Sequence, residues 1–160
     1  AIEVTVTGNQ RGQRVYSATG TYLMQTPLKP GPLPAYESGI TAPGDTSSTA
    51  AELAFSATMV RRYAKLSGDV NPIHLSTLTA RIFGFKRAIV HGMYSGAQAV
   101  SELGKQAGLN GKPVHLTFKR PMFVPAKALL LCEQKAQTTH FAAVSANRDQ
   151  EETYFTGVVG

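Results

Sequence analysis

Apolar and polar residues alternate from the start of the chain. Over residues 2–8, Ile2, Val4 and Val6 face one way and Glu3, Thr5 and Thr7 the other, the period of a half-buried strand. Residues 14–24 carry a second strand through VYSATGTYLM, and the polar GNQRG at 8–12 supplies a turn, so the pair reads as a β-hairpin. AELAFS at 51–56 is a short alternating strand. Ser56 can then cap a helix by accepting from a free backbone N–H; Val60, Tyr63 and Leu66 recur at helical spacing, and Gly68 can stop the helix. SGDVNPIH at 67–74 is a turn-rich loop, because Pro72 pushes Asn71 out of helical geometry. A short helix follows around 76–83, ending at Gly84. A longer one starts near His91 and runs to about Gly108, with the small residues Gly92, Ser95, Gly96, Ala97 and Ala99 letting it sit close against a surface. Strands are expected at 114–119, 127–136, 139–147 and 152–159; in the first, Val114, Leu116 and Phe118 share a face. One long helix followed by an antiparallel meander predicts an α+β fold, a sheet packed on a central helix.

The pattern also divides the chain. Residues 26–50 collect Pro, Gly, Ser and Thr and read as a linker or extended surface segment, while residues 51–160 read as one compact unit. The end of the chain, FAAVSANRDQEETYFTGVV, echoes its start, VTVTGNQRGQRVYSATGTY. Coincidence between two hairpins competes with a second reading, in which residues 1–25 are the last two strands of an earlier copy of the same fold. In that case they should pair as strands onto a sheet edge.

Composition narrows the class. The net charge of +6 suggests nucleic acid first. The basic residues, however, come as singles and pairs (Arg61-Arg62, Lys86-Arg87, Lys119-Arg120), with no basic stripe and no Trp, and such scattered charge suits a small polyanionic ligand equally well. No apolar run reaches the length of a membrane span, and AIEVTVTG shows no signal-peptide pattern. Cys132 is the only cysteine, so a disulfide framework and a Cys-based zinc site are both excluded, in keeping with a cytoplasmic location.

The chemistry-bearing stretch runs from Tyr63 through Leu66, Ser67, Gly68, Asp69, Asn71, Pro72, Ile73 and His74, followed by His91-Gly92-Met93. Asp69 and His74 lie five residues apart on a loop tightened by Gly68 and Pro72. A carboxylate and an imidazole so placed can share a water, one accepting its proton while the other donates. Gly92, where a helix begins, can offer its N–H to an oxyanion. The competing readings are plain: Asp69 caps its own turn, and His74 is a satisfied structural histidine. A metal set of Asp69, His74 and His91 lacks helical His spacing or a carboxylate cluster, and Ser67 is too close to Asp69 and His74 in sequence for a working triad. Cys132 reads as a small core residue, and His115 and His140 receive no role.

This stretch resembles the signature of the MaoC-like, or hydratase-2, family: aromatic, aliphatic, small, then Gly-Asp-x-Asn-Pro-aliphatic-His, with a small residue, here Ala80, six places on. The HGM at 91–93 and the Arg120-Pro121 pair also look like family landmarks, so the resemblance covers residues 51–160. It implies a hot-dog fold, a curved antiparallel sheet wrapped around one long helix, that binds coenzyme A or acyl-carrier-protein thioesters without a cofactor or metal. Carried over, Asp69 and His74 are the catalytic pair and Gly92 the backbone donor; Asn71 organises the loop, and Arg87, Lys119 and Arg120 are candidates for the coenzyme's phosphates. The expected reaction is (R)-specific hydration of trans-2-enoyl-CoA or the reverse dehydration, with carrier-protein dehydration or a non-catalytic thioester-binding module as alternatives. A hot-dog thioesterase would place its acid in or near the long helix, where only Glu102 stands, too far along to meet Gly92. A homodimer or pseudo-dimer of hot-dog units is expected.

Overall fold

A computed structural model describes residues 2–22, 40–109, 111–147 and 152–160. The chain divides into two compact units, residues 1–36 and 37–160.

In the first unit, β1 (Ile2–Gln10) and β2 (Gln13–Tyr22) pair antiparallel, as the alternation predicts. Arg11 and Gly12 form the two-residue turn, both at positive φ (51° and 78°), the combination a twist-matched hairpin turn requires. Val4 and Val6 are exposed, although their spacing marks a face for burial. The start of the Pro-rich stretch, through residue 39, lies outside the described residues.

The second unit is built on a five-stranded antiparallel sheet. Its strands are β3 (Ser48–Phe55), β4 (Val114–Phe118), β5 (Ala126–Lys135), β6 (Thr138–Ser145) and β7 (Thr153–Val159), in the order β3-β5-β6-β7-β4. β3 begins at Ser48, three residues before the alternation becomes visible. Ser48 and Thr49 already pair with Cys132 and Leu131, and the register then shifts before Ala51. Such a bulge hides the strand's period from a sequence reading. The preceding turn is pinned to β5: the Glu133 carboxylate accepts from the Gly44 N–H at 3.0 Å and from the Thr46 hydroxyl, and pairs with Lys135 at 3.1 Å.

Three short helices follow β3. α1 (Ala57–Ser67) is capped by Ser56, whose hydroxyl accepts from the Met59 N–H, and ends on Gly68 at φ 77°. α2 (Pro72–Leu75) is one turn, and α3 (Thr77–Ile82) leads to Gly84 at φ 84°. α4 (Gly92–Ala107) is the long helix. Its buried stripe of Ser95, Gly96, Ala99 and Leu103 follows helical spacing, and Ala99 and Leu103 join a core with Phe55, Leu130, Phe141 and Phe155. Close packing needs the glycines: a Cβ at Gly96 would stand 2.7 Å from Leu116 Cδ1, and one at Gly92 3.2–3.3 Å from three ring atoms of Phe118. Among the described residues no helix is long and apolar enough to cross a membrane.

Candidate active site

The loop between α1 and α2 is shaped by its own short polar side chains. Ser67 donates its hydroxyl to the Tyr63 carbonyl at 2.9 Å and accepts from the Asp69 N–H at 3.3 Å. That engagement leaves Ser67 a helix-end residue rather than a nucleophile. Asp69 Oδ1 accepts from the Asn71 N–H at 3.3 Å, so the turn-capping role does belong to Asp69, through one carboxylate oxygen only. Asn71 caps α2 by accepting from the Ile73 N–H at 3.3 Å, and Pro72 occupies the first helical position, where its fixed φ suits a helix start. A segment read as pure loop is therefore a loop with one helical turn, and that turn carries His74.

His74 is buried. Its Nδ1 lies 2.8 Å from the Ile89 carbonyl. A carbonyl only accepts, so Nδ1 carries the proton and the neutral ring keeps its lone pair on Nε2. Nε2 stands 3.9 Å from Asp69 Oδ2. Burial pushes the His74 pKa down, more than the Ile89 bond holds it up; the neighbouring His91 lowers it further and Asp69 raises it. The Ile89 carbonyl is held firmly, since Ile89 N–H donates to Ile73 at 3.1 Å and the flanking Val90 and Ala88 pair with Met122 and Val124, each at 2.8 Å.

Gly92 is the first residue of α4, where an N–H has no acceptor within its own helix. A cavity of about 300 Å³ lies beside it, lined by His74, Ser95, Phe118, Lys119, Arg120 and neighbouring apolar residues. Ser95 is buried and donates its hydroxyl to the Gly92 carbonyl at 2.8 Å. The N–H groups of Lys119 and Arg120 donate to the Tyr154 carbonyl at 2.8 and 3.2 Å, which fixes both residues at the rim. Arg120 also faces Glu152 at 3.5 Å.

The structure thus brings His74, Gly92, Lys119 and Arg120 to one cavity. Neither Asp69 nor Asn71 is among the lining residues; Asp69 Oδ2 stands 3.9 Å from the Nε2 of His74, which is. Arg87 lies apart from the cavity, with its guanidinium 5.8 Å from the centre of the Phe123 ring.

Sequence reasoning weighed His91 only as a metal ligand beside Asp69 and His74 and gave it no catalytic role, yet the residue is buried and its ring stacks on His74 at 3.7 Å and 23°. Its Nε2 donates to the Asp69 carbonyl at 3.0 Å. The Tyr63 ring lies 5.0 Å from that of His91, tilted by 60°, and stacks on Tyr94 at 4.7 Å; burial and the Asp69 charge push the Tyr63 pKa up. The available signal was the adjacency of His91 to Gly92, but nothing in linear spacing shows that a residue 22 positions beyond Asp69 folds back onto it.

Asp69, His74 and His91 do cluster, each with one potential ligand atom, all within 4.8 Å of one another, which sequence spacing did not reveal. A metal must lie in the plane of each imidazole that binds it. Two rings stacked at a small angle cannot both aim an in-plane lone pair at one ion without one of them turning. As arranged, the two stacked imidazoles do not fit one metal ion.

The family model for the MaoC-like domain matches residues 39–154. The chain is 34% identical over 79 residues to 3-hydroxyacyl-thioester dehydratase X of Mycobacterium tuberculosis, covering 49% of this chain and 28% of that protein. It is 40% identical over 73 residues to the (R)-specific enoyl-CoA hydratase of Aeromonas caviae, covering 44% and 54%. The chain therefore matches about half or less of each relative's length. A crystal structure of HtdX from Mycobacterium tuberculosis aligns with a TM-score of 0.71 at 22% identity, over 99% of this chain and 68% of that one, a likeness of fold. With its family signature, its antiparallel sheet and the helix packed against it, the chain belongs to the MaoC-like domain family and has the hot-dog fold.

Proposed function

We propose that the chain catalyses reversible (R)-specific addition of water to a trans-2-enoyl-CoA, with the same site running dehydration of (R)-3-hydroxyacyl thioesters in reverse. The observation that carries this reading is the lone pair of His74 Nε2 held 3.9 Å from Asp69 Oδ2, beside the head of α4. A single water donating hydrogen bonds of ~2.8 Å to both acceptors spans such a gap.

The thioester carbonyl accepts from the Gly92 N–H, so negative charge can move onto its oxygen. The water oxygen forms a bond to C3 as the C2=C3 π pair shifts towards C2 and the carbonyl. One of the two acceptors takes the water's proton, and that proton then goes to C2 on the same face. The sum is H and OH added syn across the double bond, with the enzyme returned to its starting state. Lys119 and Arg120 at the rim suit coenzyme phosphates. The names of both relatives support the reaction class. A non-catalytic binding module fits less well, because it has no use for a lone pair facing a carboxylate.

The test is loss of enoyl absorbance from crotonyl-CoA, and from a longer enoyl-CoA, followed by chiral analysis of the product. An (R)-3-hydroxyacyl product is expected; an (S) product, or cleavage of the thioester with no hydration, would overturn the proposal.

For the hairpin, the proposed origin is the tail of a non-catalytic hot-dog copy. The exposed Val4 and Val6 and the alignment of nearly the whole chain with HtdX support it. Strong amide-exchange protection of residues 2–22 in a chain extended by such a copy is the expected result, and an unprotected hairpin there would contradict it. A dimer or pseudo-dimer of hot-dog units in the cytoplasm completes the proposal, checked by mass measurement in solution.

A further inference from the structure

We infer that His91 is a positioning residue that sets the distance between the Asp69 carboxylate and the thioester-facing end of α4; this inference rests on the hydratase reading. Asp69 sits in an exposed loop with half of its side chain in solvent. Its bonds to Ser67 and Asn71 are local and long, both 3.3 Å. The shorter bond, which leaves the loop altogether, is the one its carbonyl accepts from His91 Nε2 at 3.0 Å.

His91 is well placed to make that bond count. It is 2% exposed, with His74 stacked on it at 3.7 Å and Tyr63 leaning on it at 5.0 Å. The His91 Nδ1 is buried with no partner among the described residues, so Nε2 is the ring atom that carries the donated proton. The main chain of His91 leads directly into Gly92, where α4 begins. One residue thus holds Asp69 with its side chain, supports the face of His74 with its ring, and presents Gly92 with its backbone. Proton transfer over hydrogen-bond distances is sensitive to displacements of this loop.

The test compares His91→Phe, which keeps an aromatic ring beside His74 but has no donor, with His91→Gln, whose amide N–H reaches the same region. Loss of the donor is expected to lower kcat about 100-fold in His91→Phe, with KM within about threefold and the fold intact, and Gln is expected to recover most of that loss. A folded His91→Phe with kcat within about threefold of the native chain would overturn the inference. So would a folded His91→Gln as impaired as His91→Phe. Should His91→Phe not fold, His91→Gln decides alone: near-native kcat supports the tie, and a large loss in a folded protein overturns it. Should the native chain hydrate no enoyl thioester, the hydratase reading fails by itself. The tie is then read from nitrogen–proton correlation spectra of the imidazoles: a protonated, hydrogen-bonded His91 Nε2 supports it, and protonation on Nδ1 instead overturns it.

Discussion

The Ile89 carbonyl fixes the tautomer of His74. By accepting from Nδ1 at 2.8 Å, it leaves the Nε2 lone pair pointing to the side where Asp69 stands. A histidine without this partner would divide its proton between two nitrogens and present a lone pair to the substrate only part of the time.

The pH dependence follows from the same burial. The His74 pKa is pushed below the ordinary histidine value of about 6.5, so the acid limb of kcat/KM is expected below that pH. A stability effect accompanies it. Between the lowered folded value and 6.5, the unfolded chain binds a proton that the folded chain does not. The His74 contribution is thus fully present above 6.5 and is lost as pH falls through the folded value. Denaturant titrations from pH 8 to pH 5 check this: His74→Gln should flatten the decline, and an unchanged slope would show that His74 does not titrate in this way.

Gly92 can be tested without disturbing the helix start. Proline is tolerated at the first helical position, and His91 at φ −62° and ψ 127° already has the extended geometry that a residue before proline prefers. Gly92→Pro removes the N–H and should lower kcat about 100- to 1,000-fold. Gly92→Ala brings a Cβ to the same Phe118 ring but keeps the N–H. It therefore controls for crowding and should lose much less activity.

Lys119 and Arg120 line the cavity, and on the proposed reading they meet the coenzyme rather than the reacting atoms. Replacing both with Ala should raise KM for a CoA substrate several-fold and leave kcat within about twofold, since exposed charge pairs are each worth about 1 kcal/mol or less. The KM increase should shrink at high salt, where screening already weakens the attraction. A large fall in kcat would instead place one of them at the reacting atoms.

The Glu133 clamp makes a separate prediction about stability. Hydrogen bonds from Gly44 and Thr46, with Lys135 beside them, hold its pKa down to about 2. The contribution is present above the unfolded value and is lost as pH falls through the folded one. Glu133→Gln should therefore lower Tm at pH 7 without altering kcat, and its deficit relative to the native chain should narrow as the pH is brought below 4. A Tm equal to the native one at pH 7 would show the clamp to be dispensable.

Much of this architecture is legible in the chain. Alternation locates β4 to β7 to within a residue or two, and the run of small residues from Gly92 marks the helix that packs closely on Leu116 and Phe118. Local chemistry also marks Asp69, His74 and Gly92 as candidates, of which His74 and Gly92 share a cavity. What could not be read depends on long-range geometry. The register shift between Thr49 and Ala51 breaks the period of β3. The single turn of α2 is too short for a periodic signal. His91 acquires its place only when α4 swings back onto the Asp69 loop, and the position of Arg87 over Phe123 rather than at the cavity is likewise a result of tertiary packing.

The central claim is that Asp69 and His74 act as a unit on one water, and a double-mutant cycle on enoyl-CoA hydration tests it most directly. Asp69→Asn and His74→Ala should each lower kcat by about 100- to 10,000-fold. The double variant should be hardly worse than the more impaired single, because groups that serve one step lose their joint contribution together. Losses that multiply in the double variant, or a single variant that hydrates as fast as the native chain, would contradict the account.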